Sequence, residues 1–157
     1  MPIKEIFIVT GEKSGDMNSS GLIEKLKSST AELKVTAIGG EYLRNAGADV
    51  IIDYSKVNFI GFYSVIKNYF KIRNVMNECV KYIHNNNPSA VLLVDFPGFN
   101  LKFAERISKF YDGKIIYYIL PQLWAWHKSR IEKLKKYFDE LLVVFPFEKE
   151  FYQKENL

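Results

Sequence analysis

Four groups of polar residues in this chain each follow a short apolar run, and their residue types suit proton transfer and the recognition of hydroxyl groups. The first, Gly11-Glu12-Lys13-Ser14-Gly15-Asp16, sets two carboxylates and a hydroxyl among two glycines. Its negative charge is wrong for an ordinary phosphate cradle and fits a neutral hydroxylated ligand better. The second is Gly39-Gly40, where paired glycines permit close backbone approach or simply make a strand-to-helix turn. The third is Asp95-Phe96-Pro97-Gly98-Phe99-Asn100. A carboxylate flanked by aromatic rings loses solvation, which raises its pKa and suits it to act as a general base. Asp95 could equally cap the helix that follows, and Asn100 is as good a cap. The fourth, Pro121-Gln122-Leu123-Trp124-Ala125-Trp126-His127, offers an amide and two indoles two residues apart. One indole can join the core while the other faces a ligand, although Trp is more often core or interface. His127 has no nearby Cys or His, so its surroundings do not make a metal site.

The elements that must position these groups read as alternating strands and helices. Apolar β-type runs fall at 3–9, 34–38, 50–52, 90–94, 114–119 and 140–145. Several lack polar alternation, as parallel strands covered on both faces do. Helical patterns fall near 19–28, 41–46, 63–85, 101–110 and 125–137, and from 147 onward. This alternation predicts an α/β fold: a Rossmann-like, doubly wound parallel sheet with helices on both faces. In such sheets ligands sit beyond the carboxyl ends of the strands, where all four polar groups fall. At 157 residues the chain is one domain by size.

Composition narrows the partners. A net charge of +4 and a pI of about 9.0 favour anionic partners without selecting one. The basic residues are dispersed, which gives nucleic-acid binding little support. Cys79 is the single cysteine, so no intramolecular disulfide forms and a reducing, cytoplasmic setting is expected. No apolar run approaches the roughly 20 residues that span a bilayer, and Lys4 and Glu5 interrupt any signal-peptide pattern. There is no Walker A sequence, no G-x-G-x-x-G after the first strand and no G-x-S-x-G elbow. The stretch 59–76 carries apolar and aromatic residues over most of a helical wheel, interrupted by Lys67, Lys71 and Arg73. It reads either as a core-facing helix with a basic outer side or as an interfacial helix on anionic lipid.

Taken together and in this order, the motifs resemble those of lipid-A-disaccharide synthases, bacterial glycosyltransferases of family 19. The matching segments are 11–16, Ile38-Gly39-Gly40, 95–100, 121–126 and Pro146-Phe147-Glu148. The resemblance implies inverting transfer from UDP-2,3-diacylglucosamine to 2,3-diacylglucosamine 1-phosphate (lipid X), with release of UDP. It implies the amino-terminal domain of a GT-B pair across residues 1–157, the acceptor side, with the carboxy-terminal UDP-sugar domain outside this chain and the piece inactive alone. Asp95 is then the expected catalytic base, with Asp16 second. Glu12, Ser14, Gly15, Asp16, Asn100, Gln122, Trp124 and Trp126 are expected to bind substrate. No metal and no cofactor is implied. The resemblance also favours the interfacial reading of 59–76, with Phe59, Phe62, Tyr63, Lys67, Tyr69, Phe70 and Lys71 against anionic lipid. The expected location is cytoplasmic and peripheral, on the inner leaflet of the inner membrane, with a homo-oligomer left open. Gly98, Ser64 and His127 depart from residues common in the family, so no paired carboxylate, glutamate or fixed cation carries over there.

Overall fold

The computed structural model describes residues 4–30, 32–56, 69–120, 128–154 and 156–157. Among these residues six strands alternate with helices: β1 (Glu5–Thr10), α1 (Lys13–Ser29), β2 (Lys34–Gly39), α2 (Glu41–Asn45), β3 (Asp49–Asp53), α3 (Tyr69–Asn86), β4 (Ala90–Val94), α4 (Pro97–Ile107), β5 (Lys114–Tyr118), α5 (Lys128–Tyr137), β6 (Glu140–Leu142) and α6 (Pro146–Lys154). A short 3-10 turn, Tyr54–Lys56, follows β3. The strands form one parallel sheet in the order β3-β2-β1-β4-β5-β6. The winding reverses between β1 and β4, the point at which doubly wound sheets bind ligands beyond the carboxyl ends of their strands.

The period-two geometry of the strands divides the core between two faces. Ile6, Ile8, Val35, Ala37, Leu92 and Val94 pack with Ile23 of α1 and Leu43 of α2. Phe7, Val9, Val91, Leu93, Ile115 and Tyr117 pack beneath α3, α4 and α5. Helix α3 meets that layer through Val75, Met76, Cys79 and Ile83, spaced as one helical stripe. Burial pushes the Cys79 thiol well above its ordinary pKa. All five residues of β4 are buried, as a central parallel strand requires.

Three boundaries differ from the sequence reading in ways that matter. Helix α1 starts at Lys13 rather than near 19, so Ser14, Gly15 and Asp16 form its first turn and only Gly11 and Glu12 remain as a link from β1. The helix dipole stabilises Asp16 in the first turn, and Gly15 brings that turn against Thr10 and Val94. Helix α4 starts at Pro97 rather than near 101, because a proline at the first helical positions loses no hydrogen bond. Strand β6 ends at Leu142 rather than 145. The amides of Val144 and Phe145 donate to Glu148 Oε2 at 3.1 and 3.0 Å, which turns the chain out of the sheet and into α6. The other strands and α2 lie within two residues of their predicted bounds. Part of the predicted helix 63–85 is α3, and residues 57–68 lie outside the described residues.

Candidate active site

The β1–α1 and β4–α4 connections meet over the switch point. Thr10 stands opposite Val94 in register, so Gly11 and Asp95 leave adjacent strands side by side. A Cβ on Gly11 would lie 2.6 Å from Cγ of Phe96, so only glycine lets the two connections approach this closely. Gly15 sets the start of α1 against Thr10 and Val94, with a Cβ there at ordinary contact distance.

Asp95 is held in an unusual backbone conformation. Its φ is 48° and that of Phe96 is 45°, two successive left-handed residues that are not glycine. Each such residue costs about 1–3 kcal/mol and persists only where its surroundings impose it. The surroundings here are specific. The Asp95 N–H donates to Tyr118 O at 2.9 Å. Its carbonyl accepts from the Tyr117 hydroxyl at 2.6 Å and from Asn100 Nδ2 at 2.8 Å. The Asn100 amide also donates to Val94 O at 3.2 Å. The side chain of Asp95 is half-buried. Burial raises its pKa, the neighbouring Glu12 carboxylate raises it further, and the Phe96 N–H opposes both. Helix α4 takes Phe96 as its N-cap with no side-chain cap, so Asp95 is not committed to capping.

Glu12 is half-buried and accepts a hydrogen bond from the exposed Ser14 hydroxyl. Glu12, Ser14 and Asp95 therefore gather at the ends of β1 and β4. Such a group can take a proton at Asp95 and hold a hydroxylated ligand at Glu12 and Ser14.

Asp16 and Asn100 are placed otherwise. Asp16 is fully buried, with Oδ1 accepting from Gly40 N (2.8 Å) and Leu43 N (3.4 Å) and Oδ2 from Tyr42 N (3.0 Å). It caps α2 from the neighbouring helix on the same face of the sheet, because the cap residue Gly40 has no side chain. Asp16 bound in this way is buried and holds the start of α2, a structural duty that the sequence reading of it as a second base and ligand contact did not include. The Gly39-Gly40 pair is a close-approach site: a Cβ on Gly40 would lie 2.6 Å from the Tyr54 ring and 2.8 Å from Asp16 Oδ2. Asn100 is fully buried inside α4. It is not the cap of α4, and it supports the backbone of Asp95. Its Oδ1 and the Thr10 hydroxyl are buried without a hydrogen-bond partner. Gln122, Trp124 and Trp126 lie outside the described residues, as do Phe59, Phe62, Tyr63 and Lys67. Tyr69 and Phe70, at the start of α3, are 56% and 76% exposed, and Lys71 beside them is exposed. Among the described residues no three His, Cys, Asp or Glu gather as metal ligands, and no helix is long and apolar enough to cross a membrane.

Sequence reasoning missed Tyr117. The pair Tyr117-Tyr118 ends β5, and alternation along the strand could have signalled that Tyr117 turns into the layer beneath α4. Burial, then the nearby Asp95 carboxylate, pushes the Tyr117 hydroxyl well above its usual pKa, so it remains a donor.

The sheet order and the helices on both of its faces define a Rossmann-like α/β domain, with Glu12 and Asp95 at its switch point. The family model for Lipid-A-disaccharide synthetase matches residues 6–157, and the chain belongs to that family. A lipid-A-disaccharide synthase of Coxiella burnetii is 38% identical over 157 residues, which is all of this chain and 42% of the relative. Lipid-A-disaccharide synthase 1 of Legionella pneumophila is 37% identical over 148 residues, 94% of this chain and 38% of the relative. The chain thus spans about two fifths of the length of these curated relatives. Among solved structures, a putative UDP-N-acetylglucosamine 2-epimerase from Listeria monocytogenes shares the fold, with a TM-score of 0.69 at 14% identity over 99% of this chain and 42% of that one.

Proposed function

We propose that this chain is the acceptor-side half of a UDP-dependent lipid-A-disaccharide synthase of GT-B architecture. The reaction is inverting transfer of the diacylglucosaminyl group from UDP-2,3-diacylglucosamine to lipid X. Asp95 takes the proton of the acceptor 6-hydroxyl as that oxygen bonds to the anomeric carbon. The bond from the anomeric carbon to the UDP oxygen breaks, and UDP leaves with the electron pair. Glu12 and Ser14 orient the sugar hydroxyls. The observation that carries this reading is Asp95 itself: a half-buried carboxylate of raised pKa at the switch point, beside Glu12 and free of capping duty. A base works best with its pKa close to the operating pH, and desolvation moves Asp95 in that direction. The UDP-sugar is held mainly by the remaining part of the protein, so the two reactants meet only when both parts are present. This chain alone is therefore inactive. The exposed Tyr69-Phe70-Lys71 step favours a peripheral seat on anionic lipid, where both acylated substrates reside.

The test is UDP release from UDP-2,3-diacylglucosamine and lipid X, with this chain alone and with a matching carboxy-terminal half added. Release only in the mixture, abolished by Asp95→Asn, is the expected result. Full activity in the Asp95→Asn mixture removes Asp95 as the base, and release by this chain alone overturns the division of labour.

A further inference from the structure

A groove of about 520 Å³ runs between α3 and α4 and opens beside the Asp95 loop, with Phe96 on its wall. Its volume falls within the range of small-molecule sites, about 300–1,000 Å³. Two helical stripes build it. On α3, Ile72 and Met76 are one turn apart; on α4, Gly98, Lys102 and Arg106 follow at four-residue steps. Gly98 leaves the near end open, since nothing lies within 4 Å of where its Cβ would be. Met76 and Phe99 are buried and form an apolar floor. Arg73, Lys102 and Arg106 are exposed at the rim. Among the described residues none of the three forms an ion pair; Arg106 donates to Asn77 Oδ1 at 3.0 Å. No carboxylate is among the described residues that line the groove. The two acidic neighbours on these helices are otherwise placed: Glu105 pairs with Lys133 at 2.8 Å, and Glu78 is exposed outside the lining.

An apolar floor beneath three cations that no described carboxylate pairs is complementary to an amphiphile with a phosphate monoester next to an acyl chain. Neither a free phosphate, which has nothing for the floor, nor a neutral lipid, which leaves the cations unused, satisfies both parts. We infer that the α3–α4 groove is the subsite for the phosphate and one acyl chain of the acceptor, with Arg73 and Lys102 binding the phosphate. Arg106 then extends the positive rim along α4. This assignment rests on the acceptor-side reading for the choice of ligand. It adds the residues that would distinguish a phosphorylated acceptor from an unphosphorylated one, and it leads the acyl chain toward the exposed Tyr69-Phe70 step at the head of α3.

The probe is dihexanoyl phosphatidic acid, which joins a phosphate monoester to two short acyl chains and is used below its micellar concentration. Binding to this chain is followed by calorimetry and by amide chemical shifts. Inorganic phosphate and dihexanoyl phosphatidylcholine are the controls. Saturable binding of the phosphatidic acid is expected, with shifts on α3 and α4 and much weaker binding of both controls. Arg73→Glu and Lys102→Glu are surface changes that leave the core intact, and each should weaken binding at least about tenfold. Lys102→Ala should fall in between. Equal binding of phosphatidylcholine, or wild-type affinity in both charge reversals, overturns the subsite. So does a loss confined to sedimentation with anionic vesicles, which would make the groove a membrane contact instead. The two levels of the reading separate cleanly. UDP release in the complemented enzyme with an unchanged KM for lipid X in Lys102→Glu sinks the groove and keeps the function. Groove binding without UDP release does the reverse.

Discussion

Asp16 makes the sharpest prediction, because geometry assigns it a role that its place in the motif conceals. Its carboxylate takes three backbone N–H groups at the start of α2. Replacing it with alanine strands Gly40 and Leu43, both buried, while Tyr42 is exposed enough to turn to water. An unsatisfied buried donor costs about 1–3 kcal/mol, so two cost about 2–6 kcal/mol. Losing a negative charge at a helix N-terminus adds about 0.3–1 kcal/mol. Asp16→Ala should therefore lose about 4 kcal/mol, a large share of the about 5–15 kcal/mol that holds a domain together. Asp16→Asn is the informative contrast. The retained Oδ1 still serves Gly40 and Leu43, and only the Tyr42 amide meets a donor in place of an acceptor. Its cost should be about 1–2 kcal/mol. Urea unfolding of this chain followed by circular dichroism gives both values. Hydrogen exchange at residues 40, 42 and 43 shows whether the loss is local. A loss below about 1 kcal/mol in Asp16→Ala, or equal losses in the two variants, would refute the capping argument.

Asp95→Asn should lower transfer by the complemented enzyme about 100-fold or more, the contribution of a positioned base. The wild-type rate should rise with pH through an apparent pKa above the ordinary carboxylate range, as burial and Glu12 dictate; a flat profile there removes both causes. Stability has the opposite sign. A folded pKa raised above the unfolded one favours the native state below the unfolded pKa, and that advantage is lost as pH rises through the folded pKa. Asp95→Asn should thus be more stable than wild type at neutral pH and lose that lead in acid, which denaturation at several pH values will show. Tyr117→Phe keeps the ring but removes one donor to the Asp95 carbonyl; it should cost about 0.5–1.5 kcal/mol, shift the Asp95 Cα resonance and lower kcat with little change in KM. Gly11→Ala forces a Cβ into the Phe96 ring and should cost about 1–3 kcal/mol; thermal melts at wild-type values would show that the two connections yield easily. Tyr69→Asp with Phe70→Asp should abolish co-sedimentation with anionic vesicles while circular dichroism stays unchanged.

The fold was legible because its signals are local and repeated. Each strand run is apolar, and the alternation with helices leaves little choice but a parallel sheet. Asp95 was legible for the same reason, since the run 91–94 ends abruptly in a charge. Helix starts were harder. Ser14, Gly15 and Asp16 have turn-like compositions, and the tertiary setting of that turn, with Gly15 against Thr10 and Val94 and Asp16 bonded to α2, is not visible in them. Asp16 and Glu12 look alike in one dimension; what separates them is the approach of Gly40, Tyr42 and Leu43 from another part of the chain. Asn100 has good capping chemistry, yet Pro97 starts the helix three residues earlier and turns the amide back onto the strand. Tyr117 and the cations of the α3–α4 groove come from elements distant in sequence, and no spacing within one segment announces them.

The sheet order also dictates when this protein can finish folding. β1 is the earliest of the six described strands along the chain, yet it lies in the middle, with β2 on one side and β4 on the other. The β1–β2–β3 unit can pair early from neighbouring segments. The other edge of β1 stays open until β4 arrives, because Thr10 pairs with Val94. Asp95 takes its final backbone only after β5, which supplies the Tyr118 carbonyl and the Tyr117 hydroxyl. Most of the chain must therefore leave the ribosome before the Asp95 backbone is set, and until then an apolar strand edge is exposed. Such distant pairing slows folding and invites association. Variants that weaken β4 or β5 should first show themselves as lower yields of soluble protein, before any loss of affinity in the molecules that do fold.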